Sequence, residues 1–500
     1  MGDFARAFDT SSEHFRTAIL ATAGPASAAE ETLEKLVDAG VTIFRLNFSH
    51  GDNTTHAETL EKIRSVSERM GQPVGVLGDL PGPKIRLSEV PGEGIELTEG
   101  ERVEVGRGPE LASPADRKKP ARFGSSWAGL VDCVEPGQRV LIDDGLVRLR
   151  ATAHRDDTLI CEVTAGGRVS SRKGVNLPDS DLSIELPTDQ DRRFATWAIE
   201  HELDWIAMSF VRSADDVQAL DAHLRKVSGQ DKRPIPIVAK IEVPRAVDHA
   251  SEIVSEVDAL MVARGDLGVE IDIAMVPSIQ KHLVAVARDA GIPCIVATQM
   301  LQSMIEAPTP TRAEASDVAT AIFDGADGVM LSGETAVGRY PIEAVTMMAR
   351  INRTTETAMR RMNVTSGKDL RASRTASFGP QGALVRAIWT AARSVDARCV
   401  VIPSSTGQYA RLISRNDFLL PVLALASDPQ IIRRMLLYRG VTPVQSDQIP
   451  EHEALVERAE QEVLTRGWAK AGEYVLIVAR EFWCRDDAGA HILVRRVRPG

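Results

Sequence analysis

The sequence predicts an α/β protein: a (β/α)8 TIM barrel with an inserted all-β lid domain and a C-terminal α/β domain. Three observations predict it. A short β-branched run, then polar residues, then an amphipathic helix recurs from Thr17 on, and eight such runs can be counted. Eight β-α units match a closed barrel. Residues 83–185 break the rhythm with short alternating runs, many Gly and Pro, and no long amphipathic helix. Finally, a polar join at 363–379, rich in Ser, Arg and Thr, precedes a fresh α/β pattern. A doubly wound open sheet is the structural alternative, because periodicity does not report closure.

The eight runs are 18–23, 41–48, 74–79, 205–210, 235–242, 259–263, 293–298 and 328–331. Three helices end in glycine-bearing turns that lead straight into strands: Asp38-Ala39-Gly40, Asp289-Ala290-Gly291 and Asp324-Gly325-Ala326. The limits that follow are an N-terminal arm at 1–16, a discontinuous barrel at 17–82 and 186–362, a lid at 83–185 and a last domain at 363–500. Within the lid, alternating runs fall at 95–98, 102–105, 139–142, 146–150 and 158–164. The last domain reads as helix 383–395, strand 399–403, loop 404–407, strand 421–425, helices 430–439 and 453–465, and strand 474–478.

Five hundred residues exceed one core, so about two to four domains are expected. A net charge of −11 argues against non-specific nucleic-acid binding while leaving room for a local basic pocket. The five cysteines are far apart and form no CxxC, which points to reduced thiols rather than a disulfide framework or a zinc site. No apolar run approaches the roughly 18–20 residues of a membrane span. The N-terminus lacks the apolar stretch of a secretory signal. The expectation is a cytoplasmic protein with neither nucleic-acid nor membrane partners.

Candidate chemistry gathers at strand ends. Side chains two apart on a strand share a face, so Lys240 and Glu242 point the same way. The next run ends in Arg264-Gly265-Asp266. Arg45, Asn47 and Ser49 share a face on the second run, with His50-Gly51 following. Asp79 ends the third run, Ala297-Thr298-Gln299-Met300 the seventh, and Ser332-Gly333-Glu334-Thr335 the eighth. Taken singly, each has a plain structural explanation. A strand-end Arg is usually an ion pair, a lone carboxylate usually caps the next helix, and Gly265-Asp266-Leu267-Gly268 is a weak motif. Polar groups at the same edge of most strands are not explained by capping. Glu242 and Asp266 are hard oxygen donors and suit Mg²⁺ or Mn²⁺. No His cluster or Cys pair argues for zinc. Lys240 and Arg45 supply positive charge for an anionic, phosphorylated substrate. There is no GxxxxGK[ST] loop, so any nucleotide is held otherwise.

These stretches resemble the pyruvate kinase family. The motifs are Ala21-Thr22-Ala23-Gly24-Pro25-Ala26-Ser27, Phe44-Arg45-Leu46-Asn47-Phe48-Ser49-His50-Gly51, Lys240-Ile241-Glu242, Ala263-Arg264-Gly265-Asp266-Leu267-Gly268-Val269-Glu270 and Ala297-Thr298-Gln299-Met300-Leu301. Pro310-Thr311-Arg312-Ala313-Glu314 and Val329-Met330-Leu331-Ser332-Gly333-Glu334-Thr335-Ala336 follow in order. The resemblance implies a lid inserted after the third strand, a C-terminal regulatory domain and a homotetramer. It implies transfer of the phosphoryl group of phosphoenolpyruvate to ADP, giving pyruvate and ATP. Carried over, Arg45 contacts the phosphoryl group and Lys240 stabilises it and the enolate oxygen. Glu242 and Asp266 bind the divalent metal. Gly265 and Asp266 receive the substrate carboxylate, and Thr298 contacts the acid. Asn47, Ser49, His50, Arg86 and Lys173 meet the nucleotide phosphates, and Asp144 helps close the lid.

Three departures matter. Where many members carry Thr and Glu, which go with activation by K⁺, this chain has Leu80 and Lys84. The resemblance is to the K⁺-independent branch: a tethered ammonium stands in for the free ion, and K⁺ is expected not to be required. Val243 and Arg245 also differ, past the metal ligands, where tuning rather than loss is expected. Ser404-Ser405-Thr406-Gly407 resembles the family's effector loop. However, Tyr409 replaces a hydroxyl residue and Asp486-Asp487 place negative charge where a second phosphate would sit. A sugar monophosphate effector and no effector are both open; fructose 1,6-bisphosphate is not expected. Two rival readings are a metal-dependent barrel lyase or aldolase acting on oxo acids, which needs no lid or Lys173, and a non-catalytic metabolite-binding paralogue, which need not keep Lys240, Glu242 and Asp266.

Overall fold

The computed structural model describes residues 16–116, 119–182, 184–361, 379–415, 420–446, 452–480 and 490–498. The expected N-terminal arm therefore lies almost wholly outside the described residues, as do nearly all of the polar join and Asp486-Asp487.

Eight parallel strands close into a barrel. They are β1 (Ala18–Thr22), β2 (Ile43–Asn47), β3 (Gly75–Asp79), β4 (Trp205–Met208), β5 (Ile237–Ile241), β6 (Ala259–Ala263), β7 (Cys294–Ala297) and β8 (Gly328–Leu331). Strand β1 pairs with β2 on one side and β8 on the other, and β3 pairs directly with β4 across the insertion. The closed ring settles the barrel against the open sheet. Alternation gives each strand two buried faces. One set, including Ile19, Phe44, Val76, Ile206, Ala239 and Val329, packs outward on the helices. The other set, including Leu20, Ile43, Leu77, Trp205, Val238 and Met330, belongs to a core shared with the C-terminal domain. The three predicted glycine turns all take positive φ: 121° at Gly40, 74° at Gly291 and 103° at Gly325. Each reverses the chain into the next strand without the Cβ clash another residue would meet.

The insertion is a β-rich body with one short helix, Leu130–Cys133, and its own core around Phe123, Val103 and Leu149. Its main sheet runs Val175–Asn176, Arg139–Ile142, Val147–Arg155, Thr158–Ala165, Arg102–Gly106, Ala121–Gly124. A two-stranded sheet joins Gly167–Val169 to Ile95–Leu97. Arg212 ties down the returning chain: its guanidinium donates to Ile184 O at 2.8 Å and also to Leu182 O.

The C-terminal domain carries a five-stranded sheet: Val441–Gln445, Val422–Ala426, Val400–Pro403, Tyr474–Arg480, Ala490–Arg496. Only its last pair is antiparallel. The domain docks on the N-terminal rim of the barrel through arginines. Arg433 Nε reaches Asp204 Oδ1 at 2.7 Å, Arg434 donates to Pro234 O at 2.7 Å, and Arg415 pairs with Asp327. The four described cysteines are free thiols. No described helix is long and apolar enough to cross a membrane.

Candidate active site

Strand alternation on β2 turns Phe44 and Leu46 out to the helices and leaves Arg45 and Asn47 facing the barrel axis. Arg45 Nε then meets Asp79 Oδ2 at 2.6 Å, and its Nη1 donates to Thr22 Oγ1 at 3.0 Å. Asp79 ends β3 and is 1% exposed. Its other oxygen faces Lys240 Nζ at 3.2 Å. Lys240, on β5, also meets Glu242 Oε1 at 2.9 Å and donates to Ser209 Oγ at 2.7 Å. Glu242 Oε2 accepts the Phe210 N–H at 2.7 Å. Four side chains from three strands thus form one buried line: Arg45, Asp79, Lys240, Glu242.

Burial disfavours the charges of Lys240, Asp79 and Glu242, so partners decide their protonation states. For Lys240, burial works against the ammonium, but Asp79 and Glu242 outweigh it and hold its pKa above the ordinary lysine range. For Asp79, burial raises the carboxyl, but Lys240 and Arg45 outweigh it and keep it below the usual range. Glu242 goes the other way: burial raises it, Lys240 only partly offsets this, and Asp266 adds repulsion. Lys240 and Asp79 thus hold their charges, and negative charge crowds at the Glu242 end.

That crowding tests the fit of a divalent cation. Glu242 and Asp266 are oxygen donors whose mutual repulsion a cation would relieve. Among the described residues no group of three His, Cys, Asp or Glu is arranged to hold a metal alone. Two carboxylates fit an ion such as Mg²⁺, which takes its other ligands from water and substrate.

Asp266 sits in the helix Arg264–Glu270, which starts directly after β6. The Gly265 N–H, expected to face a substrate carboxylate, donates to Thr298 Oγ1 at 2.6 Å. Thr298 and Gln299 both have positive φ, 69° and 55°. A β-branched residue there is strained. The other expected residues have local partners. Asn47 Oδ1 accepts the Ser49 N–H at 3.1 Å, and His50 follows, exposed. Arg86 Nη1 donates to Arg172 O at 3.0 Å, and Lys173 Nζ pairs with Asp143 at 2.8 Å. A cleft of about 370 Å³ between lid and barrel is lined by Lys84, Asp144, Asn176, Phe210, Asp266 and Glu270, among others. Lys84 is exposed there and makes no side-chain hydrogen bond or ion pair among the described residues. A larger cleft of about 930 Å³ lies between Asp144 and Gly145 of the lid and Gly265, Asp266 and Gln299 of the barrel.

The expected effector loop stands apart, at the end of the strand Val400–Pro403. Ser404 Oγ accepts the Gly407 N–H at 3.1 Å, and Gly407 takes φ 78° to open the helix Gln408–Ser414. Sequence reading gave no role to Asp79, although its position ending a strand marked it. Ser209, recognisable only as a polar residue near the end of an apolar run, was overlooked, and Thr22 carried no role outside its motif. Glu270 carried no signal outside its motif. It is buried, accepts from lid residue Asn176 at 2.9 Å, and is pushed up to about 7 by burial.

The family descriptions that match are pyruvate kinase, barrel domain, over residues 14–345, and pyruvate kinase, alpha/beta domain, over residues 382–484. A pyruvate kinase of Agrobacterium vitis is 40% identical over 465 residues, spanning 93% of each chain. One from Thermotoga maritima is 34% identical, spanning 93% of this chain and 96% of its own. Among solved structures, a pyruvate kinase from Cryptosporidium parvum matches with a TM-score of 0.86 at 31% identity, over 98% of this chain and 97% of that one. Matching along nearly its whole length, lid and last domain included, the chain belongs to the pyruvate kinase family.

Proposed function

We propose that the buried line Arg45–Asp79–Lys240–Glu242 is where this chain performs its family's reaction: phosphoenolpyruvate, ADP and a proton become pyruvate and ATP. The observation that carries this is Lys240, a buried ammonium held charged by two carboxylates at the C-terminal ends of the strands. A β-phosphate oxygen of ADP displaces the enolate oxygen at phosphorus. The enolate then takes a proton at carbon and becomes a ketone. Arg45 and Lys240 act as fixed cations for the moving phosphoryl group and the oxygen it leaves, placed before reaction so that little reorganisation is needed. A divalent cation, Mg²⁺ or Mn²⁺, held by Glu242 and Asp266, would neutralise charge on phosphoryl and enolate oxygens. Thr298 contacts the acid. Asn47, Ser49, His50, Arg86 and Lys173 face the nucleotide phosphates, with Asp144 on the closing lid.

Lys84 takes the part of a monovalent cation. Leu80 is buried and offers no hydroxyl to ligate one, and Lys84 faces the cleft without a partner among the described residues. The loop of Ser404, Ser405, Thr406 and Gly407 is the place proposed for the phosphate of a sugar monophosphate, the absence of any effector being the alternative. A cytoplasmic homotetramer is the assembly proposed. The rival readings lose ground because the lid is built and Lys240, Glu242 and Asp266 all remain.

Initial rates of pyruvate formation test these assignments. The rate requires phosphoenolpyruvate, ADP and a divalent cation together, differs by less than about twofold between K⁺ and Na⁺ buffers, and is abolished in Lys240→Met. A strict K⁺ requirement overturns the role of Lys84, and turnover by Lys240→Met overturns that of Lys240. A panel of sugar monophosphates in the same assay, with Ser404→Ala as control, decides whether the C-terminal loop is an effector site.

A further inference from the structure

We propose that Arg264 is a positioning residue for this reaction: it fixes the peptide between Thr298 and Gln299 and, through it, the place of the Thr298 hydroxyl. The inference rests on the reading of Thr298 as a site residue.

Arg264 is a guanidinium only 8% exposed, immediately after β6. Its Nη2 donates to Thr298 O at 2.8 Å. That carbonyl lies between two consecutive non-glycine residues with positive φ. A β-branched residue leaves this region unless its surroundings hold it there. The opposite prong, Nη1, meets Asp317 at 2.7 Å and Gln280 Oε1 at 3.3 Å. Asp317 lies on the helix Arg312–Asp324 and Gln280 on the helix Val276–Asp289, so the anchor is the outer helical layer. On the site side, the Gly265 N–H donates to Thr298 Oγ1. Residues 264 and 265 therefore grip Thr298 at both its carbonyl and its hydroxyl.

Arginine is the residue this needs. Its planar fork sends donors in two directions at once, whereas one lysine ammonium does not span from Asp317 to Thr298 O. Arg264 Nε is buried without a hydrogen-bond partner. A stranded donor is a cost, and it is accepted here while the fork stays aimed at Thr298 and Asp317. Asp317 balances the charge of Arg264.

The test uses Arg264→Lys, Arg264→Gln, Thr298→Ala and the double variant Arg264→Lys/Thr298→Ala, with Asp317→Asn as a milder way to loosen the same anchor. Melting temperature and circular dichroism check that each folds. Displacing a reacting group by about 1 Å can cost on the order of a hundredfold. A fall in kcat of about tenfold to a hundredfold is therefore expected for Arg264→Lys, with KM for phosphoenolpyruvate and ADP within about threefold. Exchange of the methyl protons of pyruvate with D₂O, followed by NMR, falls in parallel. In the Thr298→Ala background, Arg264→Lys costs less than about twofold more, because the group it positions is gone. Should Arg264→Lys fail to fold, Asp317→Asn gives the same kcat-selective loss at smaller size. A kcat within twofold of wild type in Arg264→Lys, or an equal loss with and without Thr298, overturns the proposal. Wild-type kcat in Thr298→Ala overturns the reading of Thr298 itself, and this proposal with it.

Discussion

The two rims of the barrel both set carboxylates against cations, and they do it differently. At the N-terminal rim, Asp204, Asp258 and Asp327 precede β4, β6 and β8. Each accepts the N–H of a neighbouring strand: Val76 at 2.8 Å, Ile237 at 3.0 Å and Cys294 at 2.8 Å. Each is also met by arginine: Arg64 and Arg433 at Asp204, Arg233 at Asp258, Arg415 at Asp327. Every carboxylate there has its counter-charge and a backbone donor, and two of the arginines come from the C-terminal domain. These contacts hold register and dock a domain. At the C-terminal rim, among the described residues, Arg45 and Lys240 are the cations paired with Asp79 and Glu242, none is paired with Asp266, and Glu242 is pushed up by burial and by Asp266. Completed charge pairs read as architecture. A buried cluster one cation short reads as a place for a ligand.

Breaking the lower rim should cost stability and not chemistry. Asp204→Asn leaves two guanidinium groups without their buried counter-charge. Removing one partner of such a pair typically costs about 3–5 kcal/mol. Chemical denaturation should show a loss of that order, with kcat of the folded fraction unchanged within about twofold. A selective loss of kcat would erase the contrast between the rims.

A smaller effect lies at the edge of the upper rim. Glu270, bonded to lid residue Asn176, has its carboxyl raised from 4.5 to about 7, mainly by burial. Between those values the folded state holds a proton that the unfolded state has released, so stability falls as pH rises. Glu270→Gln removes that slope. It should match the wild type at pH 4.5 and gain on it up to about pH 8, by at most about 3 kcal/mol. Melting temperatures across that range check it. A gain at low pH, or none at high pH, would mean that burial is not what moves Glu270.

Much of this was legible in the chain. The eight barrel runs stood out because each strand is apolar on both faces and bounded by turn residues. The lid strands Ala121–Gly124, Gly167–Val169 and Val175–Asn176 did not: Gly closes the first and opens the second, and the third is only two residues long. Val441–Gln445 is an edge strand with Pro443 inside it, and proline argues against a strand in sequence. The helix predicted over 430–439 stops at Met435, and the chain turns through Gly440 into that edge strand. In the site, Arg45, Lys240 and Glu242 could be placed on faces by counting in twos. The bridge through Asp79 could not, because it exists only once closure brings β2, β3 and β5 together. The same holds for Asn176 and Glu270, and for Arg212 with the carbonyls of Leu182 and Ile184, where chain-distant segments meet.

The contrast between the rims is tested most directly by divalent-cation binding. Free Mn²⁺ is titrated by electron paramagnetic resonance against wild type, Glu242→Gln and Asp204→Asn. One site per chain is expected in wild type and in Asp204→Asn, and its loss or a weakening of at least about a hundredfold in Glu242→Gln. Retention of that site in Glu242→Gln, or its loss in Asp204→Asn, would contradict the assignment of the upper rim as the place where a cation completes the charge.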